Sequence, residues 1–117
     1  MRAEDVEALR KDMLAVIAAS AFALRDTIGK SAFDERVMTA MGKVPRHEFV
    51  PIEFQPYAYA NIPLPIGFEK TISQPFVVAL MTDLLDIKAD DSVLEIGTGL
   101  GYQAAILAQL LQRGTRW

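Results

Sequence analysis

Four residues at alternate positions, Glu95, Gly97, Gly99 and Gly101, carry the densest chemical signal in the chain, within the run D-S-V-L-E-I-G-T-G-L-G-Y-Q-A-A. Val93, Leu94 and Ile96 make a short apolar run with two β-branched residues, which predicts a buried strand. From Tyr102 to Leu111 the spacing is helical, with Ile106, Leu107, Leu110 and Leu111 on one side. Strand, glycine loop and helix together bring backbone N–H groups up to a ligand. Glycine accepts positive φ there and leaves no side chain in the way. The spacing is G-x-G-x-G, whereas a dinucleotide fingerprint needs G-x-G-x-x-G and a P-loop needs G-K-[ST], for which no lysine is present. A tight turn without a ligand is the other reading of these residues.

A second candidate is Ser73, in the segment T-I-S-Q-P from Thr71 to Pro75. A serine suits a helix N-cap and a proline suits a first-turn position. The apolar residues Phe76, Val77, Leu80, Met81, Leu84 and Leu85 then carry a helix to about Asp86. His47 could act as a base or simply hydrogen-bond at the surface.

Composition removes several chemistries. The chain has 117 residues with 51% hydrophobic content, which is enough for a core and argues against disorder. It has no cysteine, so disulfides, thiol catalysis and cysteine-ligated zinc are excluded. His47 is the single histidine, so one chain offers no multi-histidine metal site. Net charge is −3 and the 12 basic residues are scattered, so no basic run suggests a nucleic-acid groove. Met13 to Leu24 is apolar apart from Ser20 and contains Ala-Ser-Ala, which resembles a cleavage site. The segment is too short to span a bilayer. Arg2, Arg10 and Lys11 before it are outnumbered by Glu4, Asp5, Glu7 and Asp12, the wrong sign for a secretory signal. It reads as a core-facing helix, and a cytoplasmic location is expected.

The remaining elements must position these residues. Val6, Leu9, Met13, Ile17, Leu24 and Ile28 predict a long amphipathic helix over 4–28, ended by Gly29. A second helix is expected behind a capping box of Ser31 and Asp34, with Phe33, Val37, Met38 and Met41 as its stripe and Gly42 as its stop. V-P-R-H-E-F-V-P, Val44 to Pro51, predicts an extended or turning backbone anchored by Phe49 and Val50. Between Tyr57 and Phe68, Ile62, Leu64 and Ile66 alternate with Pro63 and Pro65, which suggests a short edge strand or an extended loop.

The motif E-x-G-x-G-x-G resembles the first motif of class I S-adenosylmethionine-dependent methyltransferases. Three segments narrow the resemblance: V-P-R-H-E-F-V-P, L-P-I-G-F-E-K-T-I-S-Q-P and V-L-E-I-G-T-G-L-G-Y-Q-A-A, in that order. Over roughly 31–109 the chain looks like the protein-L-isoaspartate O-methyltransferase family, with T-I-S-Q-P as the specific part. Leu100 departs mildly, standing where many members have a small residue. The resemblance implies methyl transfer from S-adenosylmethionine to the free α-carboxylate of an isoaspartyl residue. The ester then collapses to a succinimide, which reopens partly to aspartate. It also implies that Glu95, Gly97, Thr98, Gly99 and Gly101 line the methionine end of the cofactor, with Ser73 at the transfer site and Thr71, Ile72 and Gln74 holding the substrate. The expected partners are damaged proteins carrying isoaspartyl residues, with no nucleic acid and no membrane.

The side-chain inventory suits that chemistry. A carboxylate of pKa ~4 is already ionised at neutral pH and needs no general base. Alignment of nucleophile, methyl and sulfur is the remaining work, and a serine hydroxyl beside free N–H groups at a helix start could hold a carboxylate. A plain cap is the alternative role for Ser73.

The implied fold class is α/β: N-terminal helices leading into the first strand-loop-helix unit of a Rossmann-like methyltransferase sheet. Residues 1–90 would be the helical and T-I-S-Q-P part, and 91–117 the start of a cofactor-binding domain. Each further parallel strand needs a crossover of a dozen or more residues, so the sheet is expected to be incomplete. R-G-T-R-W, Arg113 to Trp117, does not resemble the acidic-ended strand expected next. A fragment, a frameshift and a premature stop are all compatible with that ending. A different methyltransferase, acting on a small molecule or RNA, and a non-enzymatic helical binding fragment are the other readings.

Overall fold

The computed structural model describes residues 2–97 and 99–111. The apolar stripe at the start of the chain becomes helix α1, Ala3–Ala23, whose buried residues are Val6, Met13, Ile17 and Ala21. A break at Leu24 separates it from a single turn, α2, Arg25–Ile28. Gly29 then ends the run at φ 91°, a conformation that a side chain would resist.

Helix α3 spans Glu35–Lys43 and packs against α1 and two later helices. Its N-cap is Asp34 alone, whose Oδ1 accepts the Arg36 N–H at 2.8 Å, so Ser31 takes no part in a capping box. Gly42 does not stop the helix but lies within it. A Cβ there would meet Leu14 Cδ1 at 3.3 Å, so the glycine serves the close approach of α1. Tight turns follow at Arg46–Phe49 and Ile52–Tyr57, where proline-rich sequence disfavours longer helices.

The alternating segment forms β1, Leu64–Gly67, which pairs antiparallel with β2, Lys70–Ile72. Leu64 lies opposite Ile72 and Pro65 opposite Thr71, with an irregularity before Gly67 meets Lys70. Helix α4, Pro75–Leu85, begins three residues after β2. Its buried face is Phe76, Val78, Ala79, Thr82 and Asp83, while Met81, Leu84 and Leu85 are exposed, contrary to the stripe expected from sequence. The acid turns inward because the Asp34 N–H donates to Asp83 Oδ1 at 2.9 Å and Lys30 Nζ lies 2.6 Å from Oδ2.

The last element is α5, Tyr102–Leu110, which packs on α3 and buries Tyr102, Ala104, Ile106, Leu107 and Leu110. Gln103 Nε2 donates to Thr82 Oγ1 at 3.0 Å, tying α5 to α4. The expected strand at Val93–Ile96 is absent. Leu94 and Ile96 are 86% and 89% exposed, and β1 and β2 make the only sheet among the described residues. A strand exists through the ladder to its neighbours, and none flanks this run among the described residues. The strand-loop-helix unit is here a loop and a helix beside a small antiparallel hairpin. The expectations for Thr98 and for Arg113 to Trp117 fall outside the described residues.

Asp83 joins α4 to the turn before α3 through one buried carboxylate, whose side chain is 2% exposed. Removing it leaves the Asp34 N–H without its acceptor. Asp83→Ala should lower the unfolding free energy by about 2 kcal/mol. Lys30→Ala should cost less than about 1 kcal/mol, because the lysine is half exposed. Urea titration followed by circular dichroism measures both.

Candidate functional site

The start of α4 is built differently from its sequence expectation. Gln74 is the N-cap, with extended backbone and no side-chain cap bond, and Pro75 sits in the first turn. The orphan N–H of Phe76 donates to Asn61 Oδ1 at 2.9 Å, from the loop before β1. Asn61 therefore does the capping work that the sequence offered to Ser73. The Ser73 side chain is exposed and makes no hydrogen bond among the described residues.

Ser73 instead stands on the wall of a cavity of about 240 Å³. One side comes from the hairpin and its exit: Ile66, Lys70, Thr71, Ile72 and Ser73. The other comes from the glycine loop and α5: Gly97, Gly99, Leu100, Tyr102 and Gln103. Two stretches more than twenty residues apart in sequence thus face one space. Thr71, Ile72, Ser73, Gly97 and Gly99 are brought together, whereas Gln74, Glu95 and Gly101 are outside the lining.

The glycines have a geometric reason. Gly97, Gly99 and Gly101 adopt φ of 75°, 62° and 91°. Such angles strain any side chain. A Cβ on Gly99 would already touch Ile66 Cδ1 across the cavity at 3.6 Å, so a larger side chain would fill the space between loop and hairpin. Gly101 leads into α5, and its carbonyl accepts the Ala105 N–H at 2.9 Å.

Behind this wall lies a buried cation that the sequence reading passed over. Arg46 has no exposed surface. Its Nε donates to the Ala58 carbonyl at 2.6 Å and an Nη to the Ser73 carbonyl at 2.8 Å. The guanidinium stacks on the Tyr102 ring at 4.9 Å from its centroid. Burial lowers the Arg46 pKa, with Tyr102 acting the other way. Burial also raises that of Tyr102, against the opposing effect of Arg46. The guanidinium remains charged and the phenol neutral at physiological pH. The position of Arg46 in V-P-R-H, at the start of the first tight turn, carries no periodic signal, so only the contacts reveal it.

Glu95 Oε1 is buried and accepts no hydrogen bond among the described residues. An unmet carboxylate oxygen close in sequence to a glycine cradle suits a ligand with a cationic or N–H donor at that end. His47 is not in the lining; its Nδ1 lies 2.9 Å from the Tyr59 hydroxyl, a local contact. Lys70, by contrast, went unnoticed in the sequence and supplies the single ionised side chain in the lining among the described residues.

A glycine loop opening a helix, facing an extended segment that enters a proline-started helix, defines the N-terminal part of a methyltransferase fold. The comparisons make this specific. Residues 23–116 match the family described as Protein-L-isoaspartate(D-aspartate) O-methyltransferase. Protein-L-isoaspartate O-methyltransferase 1 of Polaromonas sp. strain JS666 is 60% identical over 112 residues, covering 96% of this chain and 48% of that protein. Protein-L-isoaspartate O-methyltransferase 2 of Nitrosococcus oceani is 56% identical over 103 residues, 88% of this chain and 47% of its own length. The Dictyoglomus turgidum protein of the same name is 63% identical over 76 residues, 65% of this chain and 34% of its own. The chain belongs to the protein-L-isoaspartate(D-aspartate) O-methyltransferase family. It spans less than half the length of each of these relatives.

The division of labour at α4 is measurable. Asn61→Ala should destabilise the chain by about 1 kcal/mol through the lost cap bond. Ser73→Ala should change stability by less than about 0.5 kcal/mol, as expected of an exposed side chain without partners. Equal losses in parallel thermal melts would return the capping role to Ser73.

Proposed function

We propose that this chain supplies two walls of a protein-L-isoaspartate O-methyltransferase site: the one that holds the isoaspartyl carboxylate and the one that receives the methionine end of S-adenosylmethionine. The observation that carries this reading is the shared cavity, in which Thr71–Ser73 face Gly97 and Gly99. Residues 91–117 would then begin the cofactor-binding part of the protein, and 1–90 the part that presents the damaged polypeptide.

When bound, S-adenosylmethionine supplies a methyl group already activated by its sulfonium charge. Gly97, Gly99 and Gly101 leave room for close backbone approach, and the Glu95 oxygen, unpartnered among the described residues, would accept from the ligand's ammonium group. Thr98, between two of these glycines, is assigned to the same loop. Ser73 donates its hydroxyl hydrogen to one carboxylate oxygen and so orients the other for attack. Thr71 and Ile72, at the end of β2, support the substrate backbone, and Gln74 helps at the margin of the site. Lys70 adds a positive charge at the cavity, favouring arrival of a carboxylate. No proton need be removed, because the nucleophile is already an anion. The product is a methyl ester, which leads by succinimide closure to repair.

Three substitutions test the roles. In a chain completed by a relative's C-terminal half, Gly99→Val should weaken S-adenosylhomocysteine binding by at least about tenfold, equivalent to about 1.4 kcal/mol, while helix content by circular dichroism is retained. Unchanged calorimetric affinity removes Gly99 from the site. Activity is best read in a chimera of residues 1–111 with the C-terminal half of the Polaromonas relative, assayed for methyl transfer to an isoaspartyl peptide. There Ser73→Ala should reduce kcat by up to about a hundredfold, with cofactor affinity within about twofold, because misalignment rather than binding is lost.

Lys70→Met should raise the peptide KM by about fivefold at low ionic strength and by less at 0.5 M salt, where the charge is screened within about 4–5 Å. A KM that does not respond to salt in the parent chimera removes Lys70 from carboxylate capture.

A further inference from the structure

We propose that Arg46 is a positioning residue for the transfer site, fixing the separation of its two walls by binding the Ser73 carbonyl while stacking on Tyr102. The inference rests on the reading of the cavity as a methyl-transfer site.

Three contacts carry it. The guanidinium fork reaches two carbonyls at once, Ala58 at 2.6 Å and Ser73 at 2.8 Å. Ala58 closes the second tight turn and Ser73 leaves β2, so the fork bridges two stretches that the Phe76 N–H and Asn61 Oδ1 also link three residues further on. The guanidinium carbon lies over the ring of Tyr102, the first residue of α5 and the neighbour of Gly101, 4.9 Å from its centroid. Tyr102 is fixed in turn by Phe49, whose ring lies edge-on at 5.6 Å between centroids. One rigid planar group thus contacts the hydroxyl-bearing segment and the helix that follows the glycine loop. Ser73 lies on the cavity wall with no hydrogen bond to its own side chain among the described residues, so its carbonyl is the polar anchor of that residue. Arginine suits the position because the fork and the flat face are used together. Lysine keeps the charge but has a single point of contact and no face to stack.

The arrangement explains why a cation is tolerated without a carboxylate partner. Among the described residues no acidic side chain is bonded to Arg46; carbonyl dipoles and an aromatic ring stand in for a counter-ion, while Nη1 and the neighbouring Tyr102 hydroxyl are buried without a hydrogen-bond partner there. The two carbonyl contacts constrain geometry as well as energy.

Hydrogen exchange on the 117-residue chain tests this directly, with Arg46→Lys as the principal variant. The Phe76 amide, held by Asn61, reports on the Ser73 side, and the Ala105 amide, held by the Gly101 carbonyl, on the α5 side. The Met38 amide in α3 reports on the core. Arg46→Lys should speed exchange at Phe76 and Ala105 by about tenfold and leave Met38 within about twofold. Acceleration at all three amides alike, or at none, overturns the proposal. Arg46→Met extends the series if it folds; the lysine variant suffices if it does not. In the chimera, Arg46→Lys should lower kcat more than it raises the peptide KM, a split that a purely structural loss would not produce. If the parent chimera fails to bind S-adenosylhomocysteine while the exchange pattern holds, the functional reading falls and the transfer-site role falls with it, leaving Arg46 as a structural tie between the two walls. If cofactor binds and exchange is unaltered by the substitution, the functional reading stands and the positioning role falls.

Discussion

A guanidinium with no exposed surface sits at the meeting point of the turns, the hairpin and the last helix. Taking an ion from water into a protein interior costs several kcal/mol even after relaxation. That cost is offset only if each contact has good geometry, so the burial of Arg46 constrains every group around it. The carbonyls of Ala58 and Ser73 must point inward at 2.6 Å and 2.8 Å, and the Tyr102 ring must stay within 4.9 Å of the charge. The path from Val44 to Ser73 is irregular apart from two short strands, and this cation gives that path a centre.

The rest of the molecule divides into a helical support and a site. Helix α3 packs against α1, α4 and α5 and holds the support together. The tie between Asp83 and the turn before α3 fixes the direction in which α4 leaves the hairpin. The site needs little more than that support: a hairpin exit on one side, a glycine loop on the other, and about 240 Å³ between them. The family match over residues 23–116 covers every stretch that contributes to the cavity: the turn carrying Phe49, the hairpin with Ser73, and the glycine loop.

The neighbourhood of Leu94 and Ile96 shows where local pattern misleads. An apolar, β-branched run states only a preference for an extended, buried backbone. Whether it becomes a strand depends on partners for its N–H and C=O groups, and none lies beside it among the described residues. The same limit explains α4. Apolar spacing pointed to Met81, Leu84 and Leu85, yet the helix turns a threonine and an aspartate inward because Val78, Gln103, Asp34 and Lys30 offer them partners.

By itself the sequence determined what depends on neighbours along the chain. The 3.6-residue stripe of α1, the glycine after α2, the proline at the start of α4 and the alternation in β1 are local consequences of periodicity and backbone restriction. The family motifs were legible for the same reason, since residue types at fixed spacing are all that a motif contains. Tertiary structure decided what depends on groups far apart in sequence. It gave the cap of α4 to Asn61 rather than Ser73, made Gly42 a point of close helix approach rather than a stop, and buried Arg46 between two carbonyls and a ring. Hydrogen bonds and packing act on distance in space, and the chain order alone does not contain those distances.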